Sequence, residues 1–252
     1  MKKCKIALLL VLAVCLQAGC SNHKNTDSNE KNESIVENSS NADDPQDNTA
    51  DRDSDDTGSR ENPKILIAYF SRYGNIDSEY EIDAVSSASV LVKDGEMMGN
   101  MEYVANLVQE NVGGDLHFIE TAEKYSSHYD NSDSNKLDLQ AEKEQEEGAR
   151  PELATHIDNM DEYETVFLCF PNWYSDMPMA VYSFLDEYDL SGKEVIALTS
   201  SGGGRVGSIS AIRELEPDAV VYDEEFTVSH SRIESLDAED IYDWLMEIGY
   251  LK

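Results

Sequence analysis

The chain has 252 residues, enough for one good-sized core with appendages or two small domains. It carries 52 acidic against 19 basic residues, a net charge of −33, so no basic patch is available for nucleic acid, and nucleic-acid binding is excluded. The same charge excludes simple electrostatic attraction to anionic lipid.

The N-terminus opens with Lys2, Lys3 and Lys5 and then runs apolar from Ile6 to Leu16, too short to span a bilayer as a stable helix. Ala18-Gly19 precedes Cys20, as in a bacterial lipoprotein signal, with Gln17 where an aliphatic residue is usual. This resemblance implies a signal peptide over 1–19, lipidation of Cys20 and an extracytoplasmic, membrane-anchored protein; an ordinary cleaved signal without lipid is the alternative. Cys4 and Cys15 leave with the signal and Cys20 is taken by lipid. Cys169 then remains alone and no intramolecular disulfide is expected.

Residues 20–62 are dense in Asn, Asp, Ser and Glu and contain no aromatic residue. Such a segment buries too little apolar surface to offset chain entropy, and a disordered acidic tether is expected. Its reach is roughly 5–6 Å times the square root of its length, a few tens of ångströms.

From residue 63 a folded domain is expected. Short apolar runs at 65–70, 116–119, 166–170, 195–198 and 219–222 read as strands, several of them apolar on both faces, as in a parallel sheet covered on both sides. Between them lie helical patterns. Met101, Val104, Ala105, Val108 and Val112 share one face, stopped by Gly113-Gly114. Val181, Phe184, Leu185 and Tyr188 share another, begun by Asp176 and Pro178. Ser208, Ala211, Ile212 and Leu215 line a third, ended by Pro217, and Ile241, Trp244, Leu245 and Ile248 a last one. Residues 135–147 have helical propensity but are nearly all polar, which predicts a surface helix. Five strands alternating with helices predict an α/β three-layer sandwich with a five-stranded parallel sheet of order 2-1-3-4-5, and ligands in such sheets sit beyond the C-terminal strand ends.

Those ends are where polar and aromatic residues collect. Ser71-Arg72-Tyr73-Gly74-Asn75 follows the first strand, and a hydroxyl, glycine and amide there suit a phosphate wrapped by backbone N–H groups. The third strand runs into Pro171-Asn172-Trp173-Tyr174-Ser175-Asp176-Met177-Pro178, whose aromatics beside polar groups suit a stacking site. The fourth runs into Thr199-Ser200-Ser201-Gly202-Gly203-Gly204. Gly202-x-Gly204-x-x-Gly207, with Asp223 about twenty residues on, formally matches a dinucleotide fingerprint, but that motif belongs after a first strand, so a loop allowing close backbone approach to a flat ring is expected instead.

The three strand ends together resemble the flavodoxin-like family. There a Tyr-Phe-Ser-x-x-Gly-Asn-Thr run binds the phosphate of flavin mononucleotide (FMN), a Pro-x-Trp-Trp-Gly-x-x-Pro loop flanks its ring, and a Thr-Ser-Gly-Gly loop meets the ring edge. Gly148-Ala149-Arg150-Pro151-Glu152-Leu153 also matches a stretch common in this branch. The resemblance implies that Ser71, Arg72, Tyr73, Gly74 and Asn75 hold the phosphate, Pro171, Asn172, Trp173 and Tyr174 the ring, and Thr199, Ser200, Ser201, Gly202 and Gly203 its edge. The phosphate-loop threonine is Ile76 here, the loop glycine is Ser175, and an insertion of about 77–98 precedes the helix. Gly99-Asn100 then opens that helix, with Asn100 either at the phosphate or acting as an N-cap. Arg72 either approaches the phosphate or is solvated.

His117, His128, His156 and His230 lack metal spacing, Cys169 lies in a buried strand, and no Gly-x-Ser-x-Gly elbow is present. The resemblance implies an electron carrier with a redox partner protein or quinone. A nicotinamide-dependent flavin oxidoreductase or quinone reductase, and a non-redox binding module that has lost FMN, remain as alternatives.

Overall fold

Strand β5 (Thr165–Pro171) is buried along its whole length, and around it the sheet is built. It pairs in parallel with β1 (Ile65–Tyr69) on one side and β6 (Glu194–Ser201) on the other. β1 in turn pairs with β4 (Asp115–Phe118), while β6 carries two short parallel strands, β7 (Val220–Val221) beside its start and β8 (Phe226–Ser229) beside its end. The computed structural model describes residues 64–76, 90–127, 137–203 and 207–252. The signal, Cys20 and the tether, residues 77–89 of the insertion, His128 and Gly204 lie outside them.

The order β4-β1-β5-β6-β7 is the expected 2-1-3-4-5. One element differs: the run 219–222 supplies only two paired residues, and β8 fills the upper half of the fifth position.

Alternation along the strands divides the core into two layers. Leu66, Ala68, Phe70, Val166, Leu168, Phe170, Val195 and Ala197 point to one face, against α3 (Met179–Glu187) and α4 (Ser208–Leu215). Ile67, Phe167, Cys169, Ile196 and Leu198 point to the other, against α1 (Asn100–Val112) and α6 (Ala238–Glu247). The apolar stripes read from the sequence are the faces these helices bury. α6 starts at Asp237, whose carboxylate accepts from the Glu239 and Asp240 amides, while Asp240 accepts from the Asp237 amide.

Residues 90–99 form an antiparallel hairpin, β2 (Val90–Lys93) and β3 (Glu96–Gly99). Asp94 and Gly95 both have positive φ, as a two-residue type I′ turn requires. Leu91 buries into the α1 layer, and the Lys93 amine donates to the Glu234 carbonyl just beyond α5 (His230–Ile233). β3 runs directly into α1, so the hairpin delivers the start of that helix to the end of β1. The polar helix α2 (Leu137–Glu147) lies outside both core layers. Among the described residues no helix is long and apolar enough to cross a membrane.

Candidate functional site

The C-terminal ends of β1, β5 and β6 lie side by side, and the segments leaving them are bonded together. The Phe70 amide donates to the Cys169 carbonyl at 2.9 Å, and the Asn172 amide to the Ser200 carbonyl at 2.7 Å. Asn172 Nδ2 also donates to Ser201 Oγ at 3.3 Å.

In the first segment Ser71 is buried, and its Oγ has no hydrogen bond. It lies against Gly99, where any Cβ would overlap the Ser71 hydroxyl; only glycine permits this approach of the β3–α1 junction. Gly99 is the residue that caps α1, its amide donating to Glu102 Oε2 at 3.1 Å. Asn100 is therefore the first helical residue and not the N-cap, and it is buried. Ser71 and the α1 N-terminus, with its partial positive charge, thus face the same place.

Gly74 turns with φ +89°, and a Cβ there would lie 2.8 Å from the Phe118 ring. Its carbonyl accepts from the Lys124 amine at 2.9 Å. Arg72 is 1% exposed, which overturns a solvated role; its Nη2 donates to the Ser127 carbonyl at 2.6 Å. Tyr73 is half-buried. Asn75 is fully buried, and its side chain is spent within the protein. Nδ2 donates to the Ser71 and Ile119 carbonyls at 2.9 and 3.1 Å, and Oδ1 accepts from the Thr121 amide and hydroxyl at 2.8 and 3.1 Å. Asn75 braces the loop, whereas the Ser71 hydroxyl is buried without a hydrogen bond. Ile76 continues into a parallel bridge with Tyr125.

In the second segment Trp173 is half-buried and packs edge-on against both Phe70 and Tyr125, each at 5.2 Å and 88°. Tyr174 is 46% exposed. Tyr174 and Ser175 both have positive φ, +52° and +64°, in a turn closed by reciprocal main-chain bonds between Trp173 and Asp176. A residue with a Cβ in this region bears a cost of about 1–2 kcal/mol.

The third segment is split in its direction. The Thr199 hydroxyl turns toward β8, 3.2 Å from Thr227 Oγ1. Ser200 is buried with no hydrogen bond to its Oγ, and Ser201 Oγ bonds both the amide and the carbonyl of Gly203, leaving Gly202 and Gly203 at the surface. Behind this loop the Glu225 carboxyl lies near Ser208 and Thr199, and burial pushes its pKa up. Burial raises the Tyr69 phenol to about 12 and pushes the Cys169 thiol far above its usual range, so Cys169 stays an inert thiol. The strand ends bring together hydroxyls, amides and aromatic faces, with the Arg72 and Lys124 cations bonded to main-chain carbonyls of the first segment and its neighbour, an arrangement suited to binding and orienting a group.

Sequence reasoning missed Tyr125, Thr121 and Lys124, which follow β4, and Tyr182, which with Asp176 supports the second segment. The signal for the first three was positional: the strand next to β1 must end beside the first segment. A concavity of about 910 Å³ at the opposite end of the sheet, lined by Ile65, Thr165, Lys193, Glu194 and Tyr250, contains none of these groups.

A family model described as Flavodoxin matches residues 89–248. The chain belongs to the flavodoxin family. This flavodoxin-family chain is similar to a proposed flavoprotein from Bacteroides eggerthii, at 25% identity over 76% of this chain and 100% of that one, with a TM-score of 0.55. A second proposed flavoprotein, from Bacteroides uniformis, is 21% identical over 74% and 99% of the two chains, TM-score 0.54. A flavoprotein from Lactobacillus acidophilus, solved in complex with FMN, is 17% identical over 69% and 98%, TM-score 0.44. No curated protein matches the chain.

Proposed function

We propose that this chain holds FMN non-covalently and carries electrons at the outer face of the bacterial membrane, anchored by lipid on Cys20. The observation that carries the reading is the buried, unbonded Ser71 hydroxyl set against Gly99 at the start of α1, beside the Trp173 turn and the Ser200–Gly203 loop. A phosphate would find a hydroxyl donor in Ser71 and first-turn amides of α1 beyond Gly99, whose own amide is taken by the Glu102 carboxylate. Membership of the flavodoxin family and the likeness to the Bacteroides eggerthii protein support a flavin as the ligand.

When bound, the flavin supplies the redox chemistry. The chain's part is binding and electrostatics. Ser71, the backbone around Gly74 and the α1 start at Asn100 hold the phosphate. Arg72 is kept behind them by Ser127, and Tyr73 flanks the loop. Trp173 and Tyr174 would present rings to the isoalloxazine, and Pro171, Asn172, Ser200, Ser201, Gly202 and Gly203 would border it, with the buried Thr199 hydroxyl turned away toward β8. A net charge of −33 makes an anionic reduced flavin costly and favours an electron donor to a protein or quinone, an effect that salt screens.

The purified protein is expected to be yellow and to release FMN, not FAD, on denaturation. A colourless protein that takes up no FMN at micromolar concentrations refutes the reading and favours a binding module without flavin.

A further inference from the structure

Tyr174 and Ser175 stand together as non-glycine residues with positive φ, on the turn between β5 and α3. The other such residue among those described, Asp94, sits in an Asp-Gly hairpin where the conformation is ordinary. Strain of this kind persists where surrounding structure over-determines it, and it concentrates where a ligand is held.

The over-determination is visible in Asp176, the last residue of the turn. Its Oδ1 accepts from the Tyr182 hydroxyl at 2.9 Å and from the Met177 amide at 2.7 Å. Its Oδ2 lies 3.0 Å from the same hydroxyl and accepts from Gln145 Nε2 of α2 at 3.3 Å. Tyr182, on α3, is itself fixed from above. The Arg150 guanidinium lies over its ring at 5.0 Å from the centroid and is ion-paired to Asp186 on the same helix. Arg150 belongs to the Gly148–Leu153 stretch, which the cofactor reading leaves without a role. Leu153 of that stretch is buried in the core and pairs with Thr121, so the guanidinium is delivered from a rigid base. Burial and the Asp176 carboxylate both push the Tyr182 phenol far up, so it remains a proton donor.

We propose that Arg150, Tyr182 and Asp176 form a clamp that holds the Trp173–Asp176 turn in its strained shape, and that Tyr182 is thereby a positioning residue for the flavin ring. The inference rests on the FMN reading of this site. The three residues act in series. Arg150 holds the Tyr182 ring, Tyr182 orients the Asp176 carboxylate, and Asp176 closes the turn that carries Tyr174.

The test is fluorescence titration of the purified apoprotein with FMN and with riboflavin, which lacks the phosphate, alongside thermal unfolding of each variant without ligand. Tyr182→Phe keeps the ring under Arg150 and removes only the hydroxyl. Loss of one hydrogen bond to a charged acceptor is expected to weaken both ligands by the same factor, about tenfold, because the damage is at the ring end. Ser175→Gly removes part of the strain that the clamp opposes, so Tyr182→Phe with Ser175→Gly is expected to recover most of the lost affinity. Asp176→Asn, read the same way with and without Ser175→Gly, serves if Tyr182→Phe folds poorly. A Tyr182→Phe protein that binds FMN like the parent overturns the clamp, as does a double variant that binds no better than the single one. A purely structural role would lower the unfolding midpoint while leaving affinity unmoved, which also overturns it. A parent that binds neither ligand overturns the FMN reading and the clamp together, whereas parent binding with unaffected variants overturns the clamp alone.

Discussion

Replacing Asn75 by alanine removes four hydrogen bonds at once from a fully buried position. The Thr121 amide and the Ser71 and Ile119 carbonyls lose partners that no neighbour replaces without moving the loop. Each buried polar group left unpaired costs about 1–3 kcal/mol, and water entering the vacated space recovers part of the sum. The expected loss is about 2–5 kcal/mol, a large share of a domain stability of roughly 5–15 kcal/mol. Asn75→Asp makes the sharper case. It keeps the acceptor for Thr121 but sets an oxygen where Nδ2 faced two carbonyl oxygens at 2.9 and 3.1 Å. A carboxylate there is buried and repelled by both, so the folded protein retains the proton and the pKa rises above its unfolded value of about 3.9. The folded state then binds a proton that the unfolded state has released, and stability falls as pH rises, by about 1.4 kcal/mol per pH unit between the two pKa values. Urea unfolding of parent, Asn75→Ala and Asn75→Asp at pH 5 and pH 8 measures both effects. An alanine variant within about 1 kcal/mol of the parent, or an aspartate variant whose penalty is the same at both pH values, refutes the bracing role.

Gly99→Ala is expected to destabilise by about 1–3 kcal/mol, because its backbone (φ −74°, ψ 145°) suits alanine and the whole cost is overlap with Ser71. Ser71→Gly in the same chain should relieve most of it, and strictly additive urea midpoints in the double-mutant cycle would show that the contact is not the cause. Cys20→Ser is expected to shift the protein from the membrane to the soluble fraction or medium with an unchanged unfolding midpoint. Continued membrane retention would assign the anchor to the apolar run at 6–16 or to a partner.

The centre of the sheet was legible because its strands are apolar on both faces: 166–170 and 195–198 can sit only between two layers, and the stripes of α1, α3, α4 and α6 supply those layers. The edge was not. Phe226 to Ser229 alternates apolar with polar over only four residues, too short a pattern to stand out beside the more apolar run at 219–222. The hairpin was readable from Asp94-Gly95 between Val90-Leu91-Val92 and Met97-Met98, yet it vanished into an insertion defined by its length. The burial of Arg72 was hidden for a different reason. Its charge predicts solvent unless a partner is known, and that partner, the Ser127 carbonyl, lies 55 residues away in the chain. The bracing by the Asn75 side chain was not legible, because an amide that binds a ligand and one that braces a turn look the same in sequence.

The departures from the family pattern acquire a common explanation in the geometry. Ile76 stands where a threonine hydroxyl would meet the phosphate, but the chain there is already committed to a bridge with Tyr125, and the Tyr125 amide bonds the Asn75 carbonyl at 2.7 Å. The helix that would follow at once is supplied from Asn100 through the hairpin, and the hydroxyl facing its start is that of Ser71. Ser175 stands where glycine would adopt positive φ freely, yet its φ is +64° and the turn keeps its shape. In each case one side chain has lost an easy local solution, and contacts remote in sequence restore the backbone path: Tyr125 and β3 for the first segment, Tyr182, Gln145 and Arg150 for the second. Residues outside the strand-end motifs therefore decide whether those motifs still form a binding site in this chain.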